Sequence, residues 1–346
     1  MSGTEITASV PALDETGRPQ NFGWARAPNF IYDPAMLRAS RRNITESDRY
    51  IIFMPTHLFV FEIMDDGYLG YQFVSAVHLT DKRRSTKARI TNFPLGCFDL
   101  PAASDSGSIR ITRKNSLMNF AVMEKGVRII KIDNPKFNHH RGIRGEVVLT
   151  PPTGAESLVT HLPYPRFNVK GRADAFSYSR CSPWYSAEGV IQYGNSEIIF
   201  SKGEGWGIFN WNRGVRPRSD LRFWACGSGT AAGRQAGFCI GYNSADTAQG
   251  TENAFFLDGR LHKLDQVSFH ITSGRLAPWR FTSNDMRLEM IFTPHQERDE
   301  NHQMFLYSSK RRQFFGTFSG RVILDDGSEF KFQDITGMAE RRKSRL

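Results

Sequence analysis

The segment from Trp206 to Gly214 (WGIFNWNRG) places large aromatic side chains next to amide and guanidinium groups. In a strand, alternate side chains point to opposite faces of the sheet. One face would then carry Trp206, Ile208, Asn210 and Asn212, and the other would carry Phe209, Trp211 and Arg213. Both faces mix apolar with hydrogen-bonding groups, and a buried guanidinium needs fixed partners or a ligand. Two interpretations stay open: a polar network that locks the fold by pairing Arg213 with a carboxylate, and the floor of a ligand pocket.

A second polar segment, residues 241–253 (GYNSADTAQGTEN), precedes an apolar strand. Its candidate ligand-binding residues are Tyr242, Asp246 and Asn253. Glu252 is a candidate proton carrier and our first choice as the partner of Arg213, ahead of Asp220 and Asp246, because a buried guanidinium requires a carboxylate. The alternative is a loop in which Asx and Ser/Thr turns satisfy the backbone.

Strand signals dominate the chain, and no long apolar stripe has helical spacing. Apolar runs are separated by Asp-Gly and Gly-Asn turns, whose residues tolerate the positive φ values of tight turns. These patterns predict four hairpins: Tyr50–Met64 (interrupted at Pro55) with Tyr68–Leu79, Gly189–Tyr193 with Glu197–Phe200, Asn253–Leu257 with Leu261–Leu264, and Phe314–Leu324 with Ser328–Phe332. Antiparallel meanders of this kind close into barrels or stack as sandwiches. The sequence therefore predicts an all-β protein with few short helices.

A turn-rich stretch near Thr150–Gly154, followed by Pro163 and Pro165, marks a soft domain boundary around residue 165. The predicted division is a flexible N-terminus at 1–20, a first β domain at 21–165, a second β domain at 166–338 and a basic tail at 339–346.

The 346 residues include 40% hydrophobic and 12% aromatic side chains, which excludes disorder for most of the chain. The net charge of +10 is dispersed, with local runs at Lys82–Arg84, Lys310–Arg312 and Arg341–Lys343. We interpret these runs as solvated surfaces, expect no nucleic-acid partner, and leave weak contact with a membrane surface open. No apolar run is long enough for a membrane helix, and the N-terminus lacks the pattern of a secretory signal.

The usual signatures of nucleophilic, nucleotide-binding and zinc-dependent enzymes (GxSxG, GxxxxGK[ST] and HExxH) are missing from the sequence. The His-His pair at 139–140 has no neighbouring ligand set, so we predict no metal and no cofactor. The cysteines form no CxxC pair and no disulfide framework; they are Cys97, Cys181, Cys226 and Cys239. We therefore expect reduced, mostly buried thiols in a cytoplasmic protein. Nothing in the sequence indicates an oligomeric state.

The chain resembles the domain of unknown function 2804 family over nearly its whole length. In order, the matching pieces are Phe22–Pro28, Phe93–Gly96, Gly189–Gly194, Trp211–Gly214, Asp246–Asn253, Leu257–Gly259 with His262–Leu264, Pro278–Ser283, and Phe315–Gly320 through Asp325–Gly327. Each piece is short, and their common order along the chain makes the resemblance specific. The family, as its name says, has no settled activity.

A more distant resemblance connects Trp206–Gly214 (aromatic-Gly-x-x-Asn-x-Asn-Arg-Gly) and the aromatic strand at Phe223-Trp224 with lipocalin-like (calycin) enzymes. This group includes carotenoid hydratases, tocopherol cyclase and fungal pericyclase-type cyclases. The resemblance implies two lipocalin-like β domains around an apolar cavity and chemistry on isoprenoid or polyketide substrates. Relatives tend to carry an aspartate where this chain has Asn210, and an amide cannot donate a proton as a carboxylic acid can.

Two hypotheses for the function result. The first is an enzyme, namely a hydratase, isomerase or cyclase of a hydrophobic isoprenoid, lipid or polyketide-like molecule, with the catalytic residues Arg213, Glu252 and Asn210. Arg213 would polarise a ligand oxygen, and Glu252 would carry a proton. The second is a non-catalytic carrier or sensor of the same class of ligand. In both, the ligand-binding residues are Trp206, Trp211, Asn212, Trp224, Tyr242, Asp246 and Asn253, and the π faces of the tryptophans would stabilise a cationic intermediate in an enzyme.

Overall fold

The computed structural model describes residues 3–81, 83–165, 174–304 and 307–345. These residues contain no α-helix, and their short 3₁₀ turns are Pro34–Met36, Arg41–Asn43 and Glu124–Gly126. In chain order, the strands as far as residue 215 are β1 (Val10–Pro11), β2 (Gly23–Ala25), β3 (Phe30–Ile31), β4 (Ile44–Phe53), β5 (His57–Asp65), β6 (Leu69–His78), β7 (Arg84–Asn92), β8 (Ser108–Arg113), β9 (Ser116–Val122), β10 (Arg128–Asn134), β11 (Ile143–Thr150), β12 (Leu158–Pro163), β13 (Phe176–Tyr193), β14 (Ser196–Phe200) and β15 (Trp206–Val215). The later strands are β16 (Ser219–Ala231), β17 (Arg234–Tyr242), β18 (Ala254–Leu257), β19 (Arg260–Lys263), β20 (Val267–Ile271), β21 (Trp279–Ser283), β22 (Leu288–Met304), β23 (Tyr307–Ile323) and β24 (Glu329–Arg345). The predicted all-β class is confirmed.

Two curled antiparallel sheets contain all of these strands except β1 and β3, which pair with each other. The first sheet has the order β7-β6-β5-β4-β15-β13-β11-β10-β9-β8, with β12, β14 and β2 paired alongside. The second has the order β19-β18-β17-β16-β24-β23-β22-β21-β20. The chain passes from the first sheet to the second between Val215 and Ser219. The domain division predicted at residue 165 stays a prediction, and residues 166–173 lie outside the described part of the chain.

The four predicted hairpins are confirmed by the pairing of β5 with β6, β13 with β14, β18 with β19, and β23 with β24. The prediction was wrong in one detail, because the run Tyr50–Met64 is not one interrupted strand. It turns back on itself at residues 54–56, so that β4 and β5 pair with each other. The run is apolar except for Thr56, His57 and Glu62, because both strands are buried on both faces here.

The apolar side chains form three layers. One layer fills the interior of the first sheet, a second fills the interior of the second sheet, and a third lies between the two sheets. Alternate residues of β4 belong to different layers, with Tyr50 and Ile52 in the first-sheet interior and Ile51 and Phe53 between the sheets. The period of two in a strand produces this alternation, and it explains why both faces of the β4 segment Tyr50–Phe53 are apolar.

A disulfide between Cys181 of β13 and Cys239 of β17 joins the two sheets. Cys97 and Cys226 are free thiols. The expectation that all four cysteines are reduced is therefore wrong for the Cys181–Cys239 pair. Its Cα atoms lie 6.5 Å apart although 58 positions separate the residues, so only the packing of the sheets makes them neighbours.

Several regions predicted to be loops or tails are structured. Residues 339–345 continue β24, and in the predicted flexible N-terminus residues 12–13 are buried. The run Lys310–Arg312 lies in β23, where Arg311 is buried, so the interpretation of this run as a solvated surface is wrong at its central residue. Lys82, the first residue of another basic run, lies outside the described residues. No helix in the described residues is long and apolar enough to cross a membrane.

Candidate functional site

Arg213 of β15 points its guanidinium into the first sheet, where it is completely buried. Its Nη2 atom donates to Asp48 Oδ1 at 2.7 Å, and its other donors reach the backbone oxygens of Ser47, Pro101 and Asn212. The carboxylate partner expected for Arg213 is thus present, but the expected identity, Glu252, is wrong. The antiparallel register of β15 with β4 places Asp48 opposite Trp211, two positions from Arg213 on the same face.

Glu252 is paired with Arg222 of β16, a residue that sequence reasoning missed. Arg222 Nη2 lies 3.0 Å from Glu252 Oε2, and Ser179 Oγ donates to Oε1 at 3.0 Å. Arg222 Nη1 donates to Asn212 Oδ1 at 3.2 Å, and Asn212 Nδ2 donates to Asn210 Oδ1 at 3.0 Å. A continuous hydrogen-bonded chain therefore connects two predicted catalytic residues, Asn210 and Glu252, across the two sheets.

A pocket of about 340 Å³, which we call the β17 pocket, lies where β17 ends and the segment 243–253 begins. Its hydrophobic and aromatic lining residues are Leu162, Phe223, Tyr242, Val267 and Phe269. Its polar lining residues are Asn243, Thr247, Thr251, Glu252, Asn253, Gln266 and Ser268. Small-molecule sites have volumes of roughly 300–1,000 Å³, so the β17 pocket is large enough for a small ligand. Three predicted site residues, Tyr242, Glu252 and Asn253, lie here.

Glu252 and Asn253 hold the end of β17 from two sides. The Asn253 side chain accepts from the Gly241 amide at 2.8 Å and donates to the Asp265 carbonyl at 2.8 Å. A Cβ atom at Gly241 would lie 2.9 Å from Glu252 Oε2, which is too close for van der Waals packing. Glycine at position 241 therefore lets the buried carboxylate approach the backbone, and Asn253 positions the pocket wall with both of its amide groups engaged.

Lys263 of β19 lies buried directly behind the pocket wall. Its Nζ donates to Thr251 Oγ1 at 2.5 Å, to the Leu264 carbonyl at 2.6 Å and to the Asn253 carbonyl at 3.1 Å. Burial lowers the pKa of Lys263 to about 7, although Asp265 and Asp285 act in the opposite direction. The ammonium group therefore fixes two lining residues, Thr251 and Asn253, near neutral pH.

A second, much smaller cavity of about 70 Å³ lies between the sheets, among side chains that are mostly polar or charged. Asn210, Asn212, Arg213 and Trp224 line it. Its volume is room for about two water molecules, far below the size of a ligand of the expected class. The predicted catalytic set is thus divided, with Glu252 at the β17 pocket and Asn210 and Arg213 at the small cavity.

Three predicted ligand-binding residues are not among the residues that line either cavity. Trp206 packs against the apolar layer between the sheets, and Trp211 is buried in the first-sheet interior. Asp246 Oδ1 accepts from the Ala248 amide at 3.0 Å, which is the Asx turn expected if the segment satisfies its own backbone. In the described residues, no group of three His, Cys, Asp or Glu side chains could hold a metal ion.

A buried ionic network between the sheets was also missed by sequence reasoning. Arg49 and Glu62 of the first sheet lie 2.7 Å apart, and Arg311 of the second sheet reaches Glu62 at 2.8 Å and Glu340 at 2.7 Å. Burial raises the pKa of Glu62, but the charges of Arg311 and Arg49 lower it by more than burial raises it. The pKa of this carboxyl group therefore lies below its usual range. The available signal for this network in the sequence was Glu62, a charged residue inside an otherwise apolar run (LFVFEIM).

The fold is shared with proteins of very different sequence. The crystal structure of CghA with Sch210972 is 11% identical, with a TM-score of 0.54 over 96% of this chain and 96% of that chain. A second crystal structure of CghA is also 11% identical, with a TM-score of 0.53 over 98% and 97% of the two chains. Kievitone hydratase from Nectria haematococca is 8% identical, with a TM-score of 0.47 over 96% and 98%.

The two likenesses to CghA establish the fold, and no curated protein matches the sequence. The family resemblance noted in the sequence is confirmed, because the family model described as domain of unknown function (DUF2804) matches residues 3–346. The chain belongs to the DUF2804 family.

Proposed function

We propose that this protein binds a small hydrophobic molecule in the β17 pocket. The observation that carries the proposal is the pocket itself, about 340 Å³ in volume, in which Phe223, Val267 and Phe269 provide apolar walls. Apolar walls with a few placed polar groups are typical of small-molecule sites. CghA, which shares the fold, was crystallised with the small molecule Sch210972, and this supports the same use of the fold here.

Glu252 supports a second candidate function, acid–base chemistry on the bound molecule. It is a buried carboxylate on the wall of an apolar pocket, and Arg222 and Ser179 fix its position. A positioned carboxylate can move a proton to or from an alkene or carbonyl, as hydration, isomerisation or cyclisation of an isoprenoid, lipid or polyketide-like ligand requires. The alternative is a carrier or sensor that uses the same pocket without turnover.

Filling the β17 pocket tests the binding function. Thr247→Trp places a large side chain in the pocket, whereas Thr112→Trp places the same side chain in a different, more open groove of about 800 Å³ on the outside of the first sheet. We expect titration calorimetry with geranylacetone, an isoprenoid ketone, to show binding to the wild type and to Thr112→Trp and none to Thr247→Trp. Equal affinity in all three proteins would show that the ligand does not bind in this pocket.

Glu252→Gln separates the enzyme from the carrier. The substitution keeps the shape of the side chain and removes its ability to exchange a proton. Mass spectrometry of molecules that co-purify with the protein, after incubation with wild type or variant, should show conversion only by the wild type if Glu252 moves a proton. Binding without conversion by either protein would favour the carrier.

A further inference from the structure

Asn243 is the residue of the β17 pocket whose hydrogen-bonding capacity the protein leaves unused. It lines the pocket and is only 5% exposed. Its Nδ2 group is buried and has no hydrogen-bond partner among the described residues. A buried amide donor without a partner is costly, so a position of this kind at a pocket wall points to a ligand acceptor.

The orientation of the Asn243 amide is fixed by the neighbouring backbone. Oδ1 accepts from the Ala245 amide at 2.8 Å, which is an Asx turn. An inverted amide would place two donors against each other at this contact, so the oxygen must face Ala245. The NH₂ group is therefore the end of the side chain that is left without a partner among the described residues.

The other buried polar side chains of the pocket lining are already engaged. Asn253 uses both ends of its amide on the backbone, and Glu252 is held by Arg222 and Ser179. Thr251 Oγ1 donates to the Leu264 carbonyl and accepts from Lys263. Asn243 is thus distinguished from these residues by an open donor.

The charge of the lining restricts the acceptor that Asn243 can serve. None of the described residues that line the pocket is a lysine or an arginine, and Glu252 adds a carboxylate to the wall. Arg222 is already paired with Glu252, and Lys263 donates to other groups behind the wall, so neither cation is left to pair with an anionic ligand group. A neutral oxygen, such as that of a ketone, aldehyde, ester or ether, meets the donor without this cost.

We infer that Asn243 donates a hydrogen bond from Nδ2 to a neutral oxygen of the ligand, and that the ligand is an apolar molecule with a carbonyl or ether oxygen. This inference rests on the proposed binding function. It adds the feature by which the pocket distinguishes an oxygenated molecule from a pure hydrocarbon of similar size.

The test compares two probes on two proteins. Geranylacetone carries one ketone oxygen, and β-farnesene is a hydrocarbon of similar length. Asn243→Asp keeps an oxygen to accept from the Ala245 amide but removes the donor, and thermal melting checks that the variant is folded. We expect the wild type to bind the ketone at least about tenfold more tightly than the hydrocarbon, since discrimination arises from satisfying the buried donor.

In Asn243→Asp the preference for the ketone over β-farnesene should fall to about onefold, whatever the change in the overall affinity of the pocket. Equal affinity of the wild type for the two probes would overturn the inference and leave the binding function intact. This outcome is measured on the wild-type protein alone and does not depend on the folding of a variant. An unchanged preference in a folded Asn243→Asp would overturn it as well. If neither probe binds to the wild type, the binding function itself fails and the inference fails with it.

Discussion

Arg213 uses each of its guanidinium N–H groups within the protein, whereas Glu252 lies at the wall of a pocket. The sequence predicted that both would be buried and that Arg213 would need a carboxylate. It could not identify Asp48 as the partner, because the contact depends on the register of β15 with β4 across 165 positions. The unpaired Nδ2 donor of Asn243 could not be predicted from the sequence either, because a polar loop residue becomes informative only when its hydrogen-bond partners are known.

Replacement of Arg213 tests the structural role that these contacts indicate. Arg213→Met leaves the Asp48 carboxylate buried without its partner, and breaking a buried pair in this way costs about 3–5 kcal/mol of the free energy of unfolding. Urea denaturation should show this loss. Arg321→Met, which breaks an exposed pair with Glu329, is the control and should cost less than about 1 kcal/mol. If Arg213→Met also lost less than about 1 kcal/mol of the free energy of unfolding, its ion pair with Asp48 would not stabilise the fold as we describe.

The buried amine of Lys263 should make stability depend on pH. Its pKa is about 7 in the folded protein and 10.5 in the unfolded chain, so between these pH values the unfolded state binds more protons. The free energy of unfolding therefore rises with pH in this window, by up to about 1.4 kcal/mol per pH unit from this group. Comparing wild type with Lys263→Met between pH 7 and pH 9.5 isolates the effect.

Lys331→Met serves as the control in that experiment because the Lys331 side chain is largely exposed. Its pH profile should run parallel to that of the wild type. If the pH profile of Lys263→Met also ran parallel to that of the wild type, Lys263 would not make the contribution to stability that we assign to it.

At the scale of strands and turns, local sequence was informative where hairpins close through short turns. Asp258-Gly259 is an example, because both residues adopt positive φ and β18 and β19 pair on either side of them. The run Tyr50–Met64 was harder, since a turn at residues 54–56 without glycine separates two strands that are buried on both faces. The packing of β13 against β17 across the two sheets, which brings Cys181 to Cys239, had no local signal.

The disulfide between β13 and β17 can be tested by counting thiols. In the denatured protein without reductant, two thiols should react with a thiol reagent, those of Cys97 and Cys226, and four should react after reduction. Four reactive thiols before reduction would show that the pair is reduced. That result would agree with the predicted cytoplasmic location, because disulfides persist mainly in oxidising compartments.

At the scale of the whole molecule, two curled sheets pack through an apolar layer that contains the Arg49–Glu62–Arg311–Glu340 network. The β17 pocket lies beside this contact, and Arg222 connects its Glu252 to residues of the first sheet. The all-β class followed from the strand and turn pattern. The relative placement of the sheets did not, because it depends on contacts between residues that are far apart in sequence.

Native mass spectrometry of the protein purified without added ligand tests the central claim most directly. The account predicts one bound hydrophobic molecule per chain in the wild type and in Thr112→Trp, and none in Thr247→Trp, whose added side chain occupies the β17 pocket. A wild-type protein that carries no such molecule, or a Thr247→Trp variant that retains it at the same occupancy, would contradict the account.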